Sequence, residues 1–171
     1  NIGIPAEICN LPTTQKAVIN AIIQSKLGKD PNGYRQLFMD NRYSSVKLFI
    51  LLREKFDILG AGTTRINRIG WPKQMMTMTK KASRGSTLRA YDSGNKIMCI
   101  QWMDNRVVSL TSSLQISREV GVTKRSRSEV LHLSVDKALK AYQENMDGVD
   151  CSDQYRERGA GFASKSHYKK W

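Results

Sequence analysis

The chain has 171 residues, 40% of them hydrophobic and 8% aromatic, which suffices for one domain with a real core and excludes a disordered tail. Lys and Arg outnumber Asp and Glu by 28 to 15, a formal net charge of +13, so polyanions are the expected partners. No run approaches the ~18–20 apolar residues of a membrane span, no signal peptide is evident, and the three cysteines (Cys9, Cys99, Cys151) form no CxxC pair. A zinc finger and a disulfide framework are thereby disfavoured, and reduced thiols in an intracellular protein are expected. His132 and His167 lack spaced partners and read as structural or surface residues.

In chain order, Thr13 or Thr14 can cap a helix reaching about Leu27, with Val18, Ile19, Ile22 and Ile23 as its apolar stripe and Gly28 at its end. Asp30-Pro31-Asn32-Gly33 is a turn. Tyr34 to Met39 reads as a short buried strand that delivers Asp40 at its end. Ser44 or Ser45 then caps a helix from Val46 to Phe56, and Ile58 to Thr63 reads as another strand. Strand, helix, strand in this order predicts a right-handed crossover and a parallel pair. The texture changes after Arg65. Short strands are expected at Leu88 to Tyr91, Ile97 to Trp102 and Val107 to Thr111, separated by polar turns and with no long amphipathic helix before Leu133. Helical character returns at Ser134, a good N-cap residue, and resumes around Asp150 after Gly148. Residues 1–66 and 134–171 thus read as two parts of one α/β core, and 67–133 as a β-rich insertion. Asn1 is not a Met and Trp171 lies in a basic helix-like run, so both edges read as cut, suggesting a fragment or an eroded copy.

Two acidic places stand out in this basic chain. Asp40 ends an apolar strand, and Asp150 and Asp153, three apart on a helix, would share one face. Carboxylates in a field that attracts nucleic acid suit divalent cations bridging protein and phosphate, which points to metal-dependent phosphodiester chemistry on DNA or RNA. The plainer alternatives are a strand-ending or helix-capping Asp40 and a helix N-terminal Asp150 favoured by the dipole. Arg65 and Arg68 are candidate phosphate contacts. Lys73, Lys80, Lys81, Arg84, Arg89, Lys124, Arg125 and Arg127 make a basic group in the expected insertion. Trp71 and Trp102 could stack on bases, although core packing suits them better.

The ordered blocks resemble the piggyBac family of transposases and its domesticated relatives. Met39-Asp40-Asn41-Arg42-Tyr43-Ser44-Ser45-Val46 is similar to a "DNFYTS" block, and Gly62 to Pro72 to "GTxRxNRxGxP". Trp102 to Val107 is similar to "WxDxRxV", and Asp147 to Gln154 to "GGVDxxDQ". The resemblance implies a partial RNase H-like core (strand-helix-strand plus C-terminal helix) interrupted by a β-rich insertion. It implies three aspartates holding two divalent metals, normally Mg²⁺. Asp40 matches the second, Asp150 the third, and Asp153 an adjoining acidic position. The first aspartate, in a "DxYxG"-like block, has no counterpart before Asp40, and Asp30 in its Pro-Asn-Gly turn is no substitute. A zinc-binding Cys-rich tail has no counterpart either. The resemblance further implies DNA (transposon ends and target) as partner, a homodimer on DNA and a nuclear location. On this reading the chain derives from a DNA-cleaving and strand-transferring enzyme and is inactive alone. The alternatives are a domesticated, non-catalytic DNA-binding protein of the same family, and a basic RNA- or chromatin-binding module with incidental acidic sites.

Overall fold

The computed structural model of the protein describes residues 8, 10–25, 27, 33–74, 77–114, 119–125 and 130–146. Among these, the order is α1 (Thr13–Gln24), β1 (Arg35–Met39), α2 (Val46–Phe56), β2 (Ile58–Thr63), β3 (Thr87–Asp92), β4 (Ile97–Met103), β5 (Val107–Ser112), β6 (Glu119–Arg125), β7 (Val130–Asp136) and a helix α3 over 137–146. No helix among the described residues is long and apolar enough to cross a membrane.

Five strands make one mixed sheet in the order β1-β2-β5-β4-β3. β1 and β2 run parallel, Arg35 opposite Ile58 through Met39 opposite Gly62, as strand, helix, strand predicts. β5 then joins β2 antiparallel, and β4 and β3 follow as a meander. The sheet is therefore continuous across the boundary expected at residue 67: the three strands expected to form an insertion extend the sheet begun by β1 and β2. Periodicity locates a strand but does not say which sheet it joins.

Alternation along the strands divides the core in two. Ile97 and Cys99 of β4 pack with α1 and α2, in a cluster that includes Ile19, Leu48, Phe49 and Leu52. Met98, Ile100 and Trp102 face the other way, onto Val135, Ala138, Leu139 and Tyr142. With helices on one face and α3 with the β6–β7 hairpin on the other, all seven β4 residues are buried. Burial pushes the Cys99 thiol up to about 11, with proximity to Asp92 adding to the rise and a contact with Thr111 opposing it.

The helix caps differ from expectation in two places. α1 begins after Pro12, whose carbonyl accepts from the amides of Gln15 and Lys16. Thr13 and Thr14 lie inside the first turn, and no side chain caps the helix. Ser134 belongs to β7, opposite Gly121, where its hydroxyl donates to Glu119. Asp136 does the capping of α3, accepting from the Ala138 amide at 2.9 Å. α2 matches expectation: Ser45 Oγ accepts from Leu48 at 3.1 Å, and Asp57, at φ +52°, closes the other end.

β2 reads Ile-Leu-Gly-Ala-Gly-Thr, and its two glycines are spaces for neighbours. A Cβ on Gly60 would meet the Phe49 ring at 2.5 Å, which is how α2 lies so close to the sheet. A Cβ on Gly62 would collide with Ser44 Oγ and lie 2.6 Å from the Met39 carbonyl oxygen. Gly62→Ala should therefore destabilise the fold by about 1–3 kcal/mol, the usual cost of overpacking. Gly121→Ala in β6, where nothing lies within 4 Å of the added carbon, should change stability by less than about 0.5 kcal/mol. Urea unfolding of the two variants checks the contrast, and equal midpoints would remove the steric account of Gly62.

Candidate active site

β1 carries the chain from solvent into the core, ending on buried Met39, and Asp40 follows half-buried at the sheet's edge strand. Its carbonyl accepts from the amides of Tyr43 and Ser44, both at 3.1 Å, and from Ser44 Oγ at 2.9 Å. Its carboxylate accepts from the Arg42 amide through Oδ2 at 3.1 Å. Oδ1 makes no hydrogen bond among the described residues. Asp40 thus starts a tight turn by an aspartate-to-backbone bond two residues on. The helix that follows is capped by Ser45, so capping is not the work of Asp40.

The segment after β2 holds this turn from outside. Thr64 closes on the Gly62 carbonyl through its hydroxyl and on Ser109 through its amide. The chain then folds back through bonds from the Arg68 amide to Arg65 and from the Trp71 amide to Arg68. This aims the Arg68 guanidinium at the Asp40 turn, where Nη2 donates to the carbonyls of Asn41 (3.1 Å) and Arg42 (3.0 Å). Gly70, at φ +90°, presses on Val46 at the start of α2 (a Cβ there would sit 3.0 Å away), and Trp71 is buried beside it. Arg68, a candidate phosphate contact, thus also holds the backbone beside Asp40. No sequence signal announces this, because the two segments lie some 26 residues apart and only their packing joins them.

The remaining basic residues divide into paired and exposed. Arg84 donates to Asp104 Oδ1 through Nε (2.8 Å) and Nη2 (2.6 Å), while Lys124 binds Oδ2 at 2.9 Å and lies 5.0 Å over the Trp102 ring. Burial works against the Asp104 charge, but Lys124 and Arg84 outweigh it and hold the carboxyl below the usual range. Arg89 bridges buried Asp136 and surface Glu119. Thus Arg84, Arg89 and Lys124 serve the fold through carboxylate pairs. Arg65, Lys73, Lys80 and Lys81 are exposed and make no ion pair among the described residues. The backbone of Arg125 lies in β6; its side chain and all of Arg127 lie outside the described residues. Trp71 and Trp102, at 5% and 0% exposure, are core residues and offer no face for stacking.

Asp150 and Asp153 lie outside the described residues. Among the described residues no three His, Cys, Asp or Glu side chains group closely enough to hold a metal ion. Asp40 supplies one hard oxygen donor on a fixed backbone, which suits Mg²⁺ in kind but is not a site by itself. Beside it runs a cavity of about 510 Å³ between α1 and β1, walled by Val18, Ala21, Ile22, Leu37 and Phe38, in which Asp40 is the one acidic lining residue described.

Residues 11–171 match the family model described as Transposase IS4. The chain belongs to this transposase family. The fold is also similar to that of a piggyBac transposase, solved by cryo-EM as a synaptic complex with hairpin DNA: TM-score 0.63, 18% identity, covering 91% of this chain and 30% of that one. At that identity the likeness concerns the fold, which is that of part of a protein with an RNase H-like catalytic domain. The chain spans 30% of that protein's length. No curated protein matches the chain. The ordered sequence blocks, the family match and the fold agree on a piggyBac-like transposase family member. DDE-type transposases are generally metal-dependent.

The clasp by Arg68 gives a direct test. Arg68→Ala removes two charge-assisted bonds to backbone carbonyls and should cost about 1–2 kcal/mol in urea unfolding, the scale of such partly exposed bonds. Arg68→Lys keeps the charge but loses the planar fork, and should recover no more than about half of that. Wild-type stability in Arg68→Ala would mean the clasp holds nothing.

Proposed function

We propose that this chain is part of a transposase catalytic region, binding DNA and contributing Asp40 to phosphodiester cleavage and strand transfer. The observation that carries the reading is a half-buried carboxylate at the end of β1, with one oxygen uncommitted among the described residues and its backbone clasped by Arg68, in a chain matched to a transposase family over residues 11–171. The net charge of +13 supports DNA as partner. So does the likeness to a transposase solved with hairpin DNA. In this reading transposon ends and target DNA are the substrates, the working form is a homodimer on DNA, and the protein acts in the nucleus. Asp150 and Asp153 would join Asp40 as oxygen ligands for divalent cations, Mg²⁺ first. The reading also has the chain bind duplex DNA without cutting it alone, since the resemblance matches only Asp40 and Asp150 to the family's three metal-holding aspartates.

Phosphate binding falls to the exposed cations rather than to those already paired. Duplex binding should weaken steeply with salt. Replacing Arg65, Lys73, Lys80 and Lys81 together by Ala should lower the log–log salt slope by about 0.9 for each phosphate no longer neutralised. Arg84→Ala and Lys124→Ala should each change it less, since Asp104 already holds both side chains. Asp40→Ala should leave the slope unchanged. Fluorescence anisotropy across a salt series measures all of these. Salt-independent binding would refute the DNA reading. Mg²⁺-dependent nicking of a transposon-end duplex by the chain, abolished in Asp40→Ala, would show that it does cut alone.

A further inference from the structure

The most exposed apolar side chain among the described residues is not at a loose end of the fold. Ile69 is 90% exposed, whereas the next, Tyr91, is 59% exposed. A scattered exposed Ile on a soluble protein is ordinary. Its setting here is not. Ile69 sits between Arg68, whose guanidinium is tied to the Asp40 turn, and Gly70, which presses on Val46; one residue further, Trp71 is buried. The loop is thus anchored on both sides of the exposed residue. Ile66, 52% exposed, lies three residues earlier in the same fold-back, and Arg65 and Lys73 flank the pair as exposed cations. An apolar tip on an anchored loop between cations, beside a carboxylate turn, has the chemistry of a protein wedge for DNA. Phosphates attract the flanks, and a branched aliphatic group enters between base steps and unstacks them.

We propose that Ile69, supported by Ile66, is a wedge that distorts duplex DNA next to Asp40. The inference rests on DNA being the partner. It goes further in giving the 65–73 loop a task distinct from phosphate binding: opening a base step. β-branched Ile adds stiffness to the tip, since its side chain has few rotamers. Pyrimidine–purine steps, the easiest to unstack, are the preferred point of entry.

The test uses the full chain and duplexes carrying a fluorescent adenine analogue, whose emission rises on unstacking, placed at a TA step in one duplex and within a stiff A-tract in another. Wild-type protein at saturation should raise emission at the TA step more than in the A-tract. Ile66→Ala with Ile69→Ala should cut that rise by about threefold or more while leaving the salt slope unchanged, because every cation that meets phosphate is still present. Ile69→Met, long and apolar, should keep most of the rise. Binding without any rise, or the same rise in the double alanine variant, would overturn the wedge while leaving DNA binding intact. A double alanine variant that loses self-association or capture of a protein partner, with the emission rise unchanged, would assign the tip to a protein interface and overturn the wedge equally. No salt-dependent duplex binding by the wild-type chain would remove the DNA reading itself, and this inference with it.

Discussion

The Asp40 turn can form only because β2 has no side chain at residue 62. Ser44 fills that space and donates to the Asp40 carbonyl, so the bend leaving β1 and the bare backbone of β2 are two halves of one contact. Parallel pairing places them side by side, Met39 opposite Gly62. The chain leaving β2 then returns over the same turn and ties the carbonyls of residues 41 and 42 through Arg68. Two sequence blocks that look independent are thus one structural device, and its product is a carboxylate on a backbone held from both sides.

This arrangement separates the basic residues by role. A charge of +13 invites the view that every Lys and Arg meets an anion of the partner. Several instead offset buried or half-buried carboxylates. Asp104 takes two cations and joins the loop after β4 to β6 and to the segment before β3, and Arg89 joins β3 to the hairpin and to the cap of α3. These pairs attach the hairpin to the sheet. Four of the exposed cations, Arg65, Lys73, Lys80 and Lys81, lie in the stretch that follows β2, whose first residues pass over the turn. The fold therefore draws on some members of this residue class, and the proposed DNA contacts on others.

Much of this is legible in the chain. The β1–α2–β2 unit can be read because each element carries an apolar run and α2 has a serine cap where one is needed. Asp40 is legible as the acidic end of an apolar run. The strands β3, β4 and β5 are legible as strands, but their membership in the β1–β2 sheet is not, since pairing is a long-range choice. The hairpin β6–β7 escapes the sequence reading, although Val120 and Val122, then Leu131, Leu133 and Val135, alternate with polar residues as strands do. Ser134 and Asp136 both suit a helix start, and the strand simply runs two residues further than the first of them. Arg68 is legible as a cation and not as a clasp, because its carbonyl partners carry no side-chain signature.

In the proposed reading Asp40 is a functional carboxylate, presented by a clasped turn to a divalent cation. Paramagnetic broadening by Mn²⁺ in backbone amide spectra of the full chain tests it most directly. Amides of residues 40–44 should broaden first as Mn²⁺ is added, and Asp40→Asn should abolish this while leaving the rest of the spectrum in place. Broadening centred elsewhere in the chain, or undiminished around the turn in Asp40→Asn, would contradict it.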